Sequence, residues 1–292
     1  MIGIIGSMPQ EIERIVAEFE TDRVHTIAGR AFHEGRFFGV RAVLVFSRWG
    51  KVAASMTATV LIERFQVDTI IFTGVAGAVS PELEIGDVVI ADRLLQHDFD
   101  ISAAGIVGDA GELTKFEIPF LGISYFPVDG RLVELAGRAA KAFLAKRSKR
   151  NQDSERNVES ERNEESERNE ESERNEESER NEERERNVYI GTIASGDQFI
   201  AHPGTLEALR SAIPDLLAIE MEGAAEAQVC YEYNVPFLVV RTISDKADHS
   251  AAIDFLRFVK EIASEYSFGI LTHLLRNLND STARGIFEAP FL

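Results

Sequence analysis

Cysteine is nearly absent: Cys230 stands alone in 292 residues, so no disulfide can form within the chain. It lies among Ala, Val and Tyr on a stretch that reads as helix, where a lone thiol serves as a small buried hydrophobe. No apolar run approaches the roughly 20 residues of a membrane span. No targeting segment is read either, because the apolar residues 1–5 are too few for a signal core and lead into Glu11 and Glu13. A cytoplasmic protein is expected. A Walker loop is missing, since Gly50-Lys51 runs into Val52 without the leading glycine. So is GxGxxG, because Gly3-Ile-Ile-Gly6 continues into Ser-Met-Pro. The six histidines are scattered, and His97-Asp98-Phe99-Asp100 offers few ligands at an awkward spacing. Neither a metal nor a cofactor is expected. Ser195-Gly196 lacks the nucleophile-elbow pattern, so spacing points to no Ser-His-Asp arrangement.

Positive charge is also scarce. Lysine and arginine total 31 against 49 acids, a net charge of −18. Neither nucleic acid nor an anionic membrane finds a basic surface here. The one basic run, Lys146, Arg147, Lys149 and Arg150, reads as the C-terminal end of a helix. Half of the net charge comes from one segment: residues 151–187 hold 16 acidic and 7 basic side chains. Within it the unit Ser-Glu-Arg-Asn-Glu-Glu recurs from Ser154, Ser160, Ser166, Ser172 and Ser178, varied at Val158-Glu159. A six-residue period fits neither a heptad nor a solenoid, and the unit has nothing aliphatic to bury. An expanded surface insertion is the expectation, ahead of a charged helix held by pairs such as Glu164 with Arg168.

Outside that insertion the pattern is of strands alternating with helices. Strands are expected at residues 1–5, 41–46, 68–72, 86–92, 189–194, 215–219 and 235–240, and helices at 8–19, 51–65, 133–144, 206–213 and 253–275. This predicts an α/β domain over 1–277 around a parallel or mixed sheet, interrupted by 151–187 and followed by a tail at 278–292. Open α/β sheets bind ligands at the carboxyl ends of their strands. Glu220 and Glu222 follow one apolar run, and Arg241, Ser244 and Asp245 follow another, so the five are candidates for one crevice. An Arg–Glu ion pair bracing the strand ends is the competing explanation. Two carboxylates that behave differently are the usual equipment for breaking a glycosidic bond, and the candidate acids are Glu11, Glu220, Glu222 and Asp245.

Six segments, in order, carry a resemblance: Gly3-Ile-Ile-Gly-Ser-Met-Pro-Gln-Glu11, Trp49-Gly-Lys-Val-Ala-Ala54, Phe72-Thr-Gly-Val-Ala-Gly77, Ala194-Ser-Gly-Asp-Gln-Phe-Ile200, Ile219-Glu-Met-Glu222 and Arg241-Thr-Ile-Ser-Asp245. Together they resemble the bacterial 5'-methylthioadenosine/S-adenosylhomocysteine nucleosidases from Met1 to about Leu275, the insertion excepted. The resemblance implies a three-layer α/β sandwich of nucleoside phosphorylase type, with a mixed central sheet flanked by helices, and a homodimer. It also implies hydrolysis of adenine thionucleosides to adenine and a 5-thioribose product.

By the same resemblance Asp245 protonates adenine N7, with Ser244 orienting it, and Glu11 deprotonates the attacking water. Glu222 grips the ribose hydroxyls, Met221 packs on the sugar, and Arg241 steadies Glu222 or the water. Phe199 stacks on adenine, the Ile200 backbone reads its edge, and Trp49 and Val75 complete the binding site. Val75 stands where many relatives have serine, and residues 103–127, which lend apolar groups to the partner's site in relatives, diverge. A free aspartate ionises near ~3.9, so keeping it protonated near neutrality takes roughly 4 kcal/mol of environmental bias. A purine nucleoside phosphorylase would need a cationic phosphate site, for which Arg48 is the only arginine near a suitable loop. A futalosine-type nucleosidase would apply the same chemistry to a different 5'-group, and a surface protein displaying the acidic repeat would need no catalysis at all.

Overall fold

The computed structural model describes residues 1–105, 107–108, 111–165 and 185–279. Among these residues twelve strands and seven α-helices follow in order. β1 (Ile2–Gly6), α1 (Pro9–Glu18), β2 (Glu20–Ile27), β3 (Arg30–Phe37), β4 (Val40–Phe46), α2 (Lys51–Phe65) and β5 (Thr69–Ala78) form the first half. β6 (Val88–Gln96), the short β7 (Val107–Gly108), β8 (Gly111–Glu112) and β9 (Phe126–Pro127), then α3 (Gly130–Glu165), lead up to the repeat. β10 (Val188–Ser195), α4 (Pro203–Ala212), β11 (Leu216–Glu220), α5 (Gly223–Tyr233), β12 (Phe237–Asp245), α6 (Ala251–Glu261) and α7 (Ala263–Asn279) complete the chain.

The sheet runs β11-β10-β6-β12-β5-β1-β4-β3-β2, and β11 returns to pair with β5 through Ala218 with Ala78 and Ile219 with Gly77. Five strands, β5, β12, β6, β10 and β11, therefore close on themselves, while β1 to β4 extend from the ring as an open sheet. Pairing is mixed: β1 lies parallel to β4 and β5, and β12 lies parallel to β5 but antiparallel to β6. Every residue of β1 and β12 is buried, as continuous apolar runs in doubly covered strands require. Helices α2 and α5 pack together over one face, and α1, α3 and α7 over the other. The layered α/β architecture expected from the sequence is present.

Helix α2 spans the residues that its pattern predicts; Ala54, Ala58, Leu61 and Phe65 bury one stripe, and Gln66 ends it in the left-handed conformation at φ 52°. Several expectations need correction. β2 and β3 were not anticipated: β2 is mostly exposed and polar, so it shows no alternation, and only its hairpin with β3 orders it. The hairpin turns on Ala28 and Gly29, both at positive φ (48° and 70°), without the usual Asn-Gly signature. The single helix expected at 253–275 is two, because Ile262 leaves helical geometry with φ −132°. β12 runs on to Asp245, which puts Arg241 mid-strand rather than at a strand end. Finally, α3 continues to Glu165 through the first part of the repeat, in place of an expanded loop. The rest of the repeat, 166–184, and the tail beyond 279 lie outside the described residues.

Candidate active site

Glu11 sits in the first turn of α1 and is fully buried. Four donors converge on its carboxylate: Ser7 N (2.7 Å), Ser7 Oγ (2.9 Å) and Met8 N (3.0 Å) on Oε2, and Val75 N (3.1 Å) on Oε1. Helix N-termini favour negative charge there, and hydrogen bonds to the ionised form add to that preference. Burial pushes the Glu11 pKa up, while Arg241, Ser7 and Met8 act against that rise.

Asp245, at the end of β12, is also buried but differently served. Ser244 Oγ lies 2.8 Å from its Oδ2 and Ala247 N donates to Oδ1 at 2.9 Å. Burial raises its pKa, Ser244 and Ala247 oppose the rise, and the carboxylates of Asp254 and Asp248 add to it. No cation figures among the influences on Asp245, whereas Arg241 acts on Glu11. Both pKa values are raised, but Arg241 opposes the rise at Glu11 whereas two acids add to it at Asp245, so the surroundings of the two acids differ in kind.

Two glycines of β5 make room for both groups. A Cβ placed on Gly74 would stand 2.6 Å from Glu11 Oε1, and one on Gly77 would stand 2.9 Å from Asp245 Oδ1. The Thr73-Gly-Val-Ala-Gly77 segment thus seats both carboxylates along one strand.

Glu222 precedes α5 and is 5% exposed; its Oε1 accepts from Gly50 N (2.8 Å) at the start of α2. Burial first, and the neighbouring Glu220 second, raise its pKa to about 8. Arg241 bonds to Glu220, through Nη2 (2.6 Å) and Nε (3.2 Å), and stacks over Phe72 with 4.3 Å from Cζ to the ring centroid. Burial works against the Arg241 cation, but Glu220, Glu11 and Glu222 more than offset it and its pKa is raised. The ion pair that competed with the site reading therefore exists, and it is buried: Glu220 also accepts from Ser195 Oγ and from Gly223 N (2.9 and 3.0 Å to its two oxygens). Arg241 thus bonds directly to Glu220 and reaches Glu222 through its charge, which opposes the rise of the Glu222 pKa.

The aromatic residues of the site are exposed. Phe199 is 48% exposed and meets Phe255 of α6 edge-on at 5.6 Å between centroids, while Trp49 is 59% exposed. Ile200 is buried, and Met221 and Val75 are half-buried. The loop carrying Phe199 is tied to the start of α2: Asp197 Oδ1 accepts from Lys51 N (2.8 Å), and Asp98 accepts from Lys51 Nζ (2.5 Å) and Asp197 N (2.9 Å). Asp98, one of the two acids in the His-Asp cluster, is thus spent on a structural tie.

The model of the Phosphorylase superfamily matches residues 1–276. The 5'-methylthioadenosine/S-adenosylhomocysteine nucleosidase of Aeromonas salmonicida is 31% identical over 277 residues, covering 95% of this chain and 99% of that protein. The chain belongs to this nucleosidase family of the phosphorylase superfamily. Among solved structures, the nucleosidase of Neisseria meningitidis in complex with methylthio-immucillin-A is 30% identical with TM-score 0.73, covering 95% of this chain and 99% of that one. Futalosine hydrolase of Helicobacter pylori strain 26695 is nearly as similar, at 29% identity and TM-score 0.71, with 95% and 97% coverage.

Family membership makes sense of what the sequence alone did not reveal. An Arg–Glu ion pair was legible in the sequence, but not which of Glu220 and Glu222 would make it, and the structure assigns it to Glu220. Phe255 gave no signal beyond an apolar helix position. Asp197 lay inside a recognised motif with no role attached, and the structure gives it the tie to α2.

Proposed function

We propose that the protein hydrolyses the N-glycosidic bond of 5'-methylthioadenosine and S-adenosylhomocysteine in the cytoplasm. The observation that carries this reading is the contrast between Glu11, held by four donors and near the Arg241 cation, and Asp245, buried with two donors and acidic neighbours. Asp245 gives its proton to adenine N7 as the C1'–N9 bond breaks, so adenine leaves neutral. Glu11 takes a proton from the water whose oxygen forms the new bond to C1'. Between the two steps the sugar is cationic, and the buried carboxylates around it stabilise that charge.

Glu222 binds the ribose hydroxyls, with Met221 beneath the sugar and Val75 beside it. Phe199 stacks on adenine against Phe255, Ile200 offers its backbone to the base edge, and Trp49 borders the 5'-substituent. Arg241 acts through Glu220, and Ser244 through Asp245. Exposed Trp49, just before α2, and exposed Val52 and Met56 on α2 support a homodimer, since large apolar side chains grouped in this way seldom face water alone.

Adenine release from methylthioadenosine in phosphate-free buffer tests the proposal; cleavage only in the presence of phosphate would favour a phosphorylase instead. The similarity to futalosine hydrolase makes the 5'-group the open variable, and competition between the two nucleoside classes resolves it.

A further inference from the structure

Two arginines near the Gly50–Glu222 contact have no acid to answer them among the described residues. Arg30 opens β3 and is 3% exposed, yet its Nε donates to the Ser47 carbonyl (2.9 Å) and its Nη1 to the Ala28 carbonyl (3.1 Å). Arg48 Nη2 donates to the next carbonyl, that of Gly29, at 2.8 Å. Successive carbonyls of one two-residue turn thus hold two guanidinium groups close together, and like charges so placed repel. Among the described residues neither forms an ion pair with a carboxylate. Burial first, and the Arg48 cation second, push the Arg30 pKa below its ordinary value with no acid to offset them.

The backbone is bent to allow this. Arg48 holds φ at 74°, a left-handed conformation that disfavours any residue with a side chain. Gly29, at φ 70°, leaves the space its guanidinium needs: a Cβ there would stand 3.0 Å from Arg48 Nη2. A chain of net charge −18 has acids in abundance, yet none of those described neutralises this pair. An anion from outside the chain would.

The position of Arg48 indicates where that anion comes from. It belongs to the β4–α2 loop, whose Gly50 N–H holds Glu222 and whose Trp49 is exposed. We propose that Arg30 and Arg48 form a binding site for a carboxylate on the 5'-substituent of the nucleoside. This rests on the nucleosidase reading above. A carboxylate matches the planar fork of a guanidinium, and charge-assisted bonds of this kind are the stronger ones. Of the two proposed substrates, S-adenosylhomocysteine carries such a group and methylthioadenosine does not.

The test compares both substrates on the wild type, Arg48→Gly, Arg48→Lys and Arg30→Met, alongside melting temperatures in inorganic phosphate and gel filtration. Glycine suits the left-handed backbone at position 48, so Arg48→Gly should fold. It should lower kcat/KM for S-adenosylhomocysteine about tenfold, mainly through KM, and leave methylthioadenosine within about twofold. Arg30→Met should show the same preference, and Arg48→Lys should recover part of the loss. Phosphate should raise the melting temperature of the wild type more than that of Arg48→Gly. Equal losses on both substrates, or no loss on either, overturn the proposal. A dimer that dissociates in Arg48→Gly without a change of substrate preference also overturns it, because the pair would then answer an acid of a second copy. If the wild type cleaves neither nucleoside, the nucleosidase reading fails. The phosphate shift then decides alone: a shift lost in Arg48→Gly retains the oxyanion site, and no shift removes it.

Discussion

Glu11 and Asp245 are both buried carboxyls, and their neighbours separate them. Four donors and the Arg241 cation surround Glu11, whereas Asp245 has two donors and two further acids nearby. Glu11→Gln and Asp245→Asn should therefore each lower kcat by about 10²-fold or more, the usual size of a general acid or base contribution. Thermal melts should show both variants folded; a near-normal kcat would remove that residue from its role. Another buried acid lies outside the mechanism. Glu226 in α5 is fully buried, its Oε1 accepting from Cys230 Sγ at 3.3 Å, and burial raises its pKa from 4.5 to about 8. The unfolded chain releases this proton near 4.5 and the folded protein near 8, so the folded state binds more protons between those values. Stability contributed by the protonated group is whole below pH 4.5 and falls as pH rises toward 8, by up to about 1.4 kcal/mol per pH unit. Glu226→Gln should abolish that decline in urea melts taken from pH 5 to 8; parallel curves for the two proteins would contradict it. The sequence showed these acids but not their environments, because burial and donor count arise only when distant segments meet.

At the scale of elements, legibility followed burial. β1, β12 and α2 were readable because apolar runs or a stripe mark them, whereas β2 is mostly exposed and its polar sequence carries no period. The break between α6 and α7 falls at Ile262, an apolar residue that resembles any other helix position in sequence. β5 extended beyond its expected end because its second half, Thr73-Gly-Val-Ala-Gly77-Ala78, looks like a glycine-rich loop yet pairs with both β12 and β11. That strand is where backbone and chemistry meet. Gly74→Ala would place a methyl group 2.6 Å from Glu11 Oε1, and neither the strand nor the four-donor seat can yield freely. It should reduce kcat at least tenfold, as small displacements of a catalytic group do. Activity within twofold of the wild type in stopped assays would show that Glu11 tolerates the shift.

For the whole molecule, the repeat is the feature with no evident part in the site. Both of its flanks meet at one place: Arg147 of α3 lies over the Tyr266 ring at 5.0 Å, and Arg186 lies with the Tyr266 hydroxyl beside Gly86. Joining those flanks by a short linker needs no rearrangement, and loop length changes closure entropy slowly, by about 0.6 kcal/mol per doubling. Replacing residues 153–184 with a short Gly-Ser linker should leave kcat within about twofold and the melting temperature within a few degrees; a fall of many degrees would show that the repeat packs on the domain.

The central claim is hydrolysis by a protonated aspartate and an ionised glutamate, and one assay reaches it directly. Purified protein is incubated with methylthioadenosine in phosphate-free buffer containing a chelator, and adenine and the sugar product are separated by chromatography. The account predicts equal amounts of adenine and free 5-methylthioribose from the wild type, and almost none from Asp245→Asn. No adenine from the wild type, or adenine that appears only with phosphate and accompanies a sugar 1-phosphate, would contradict it.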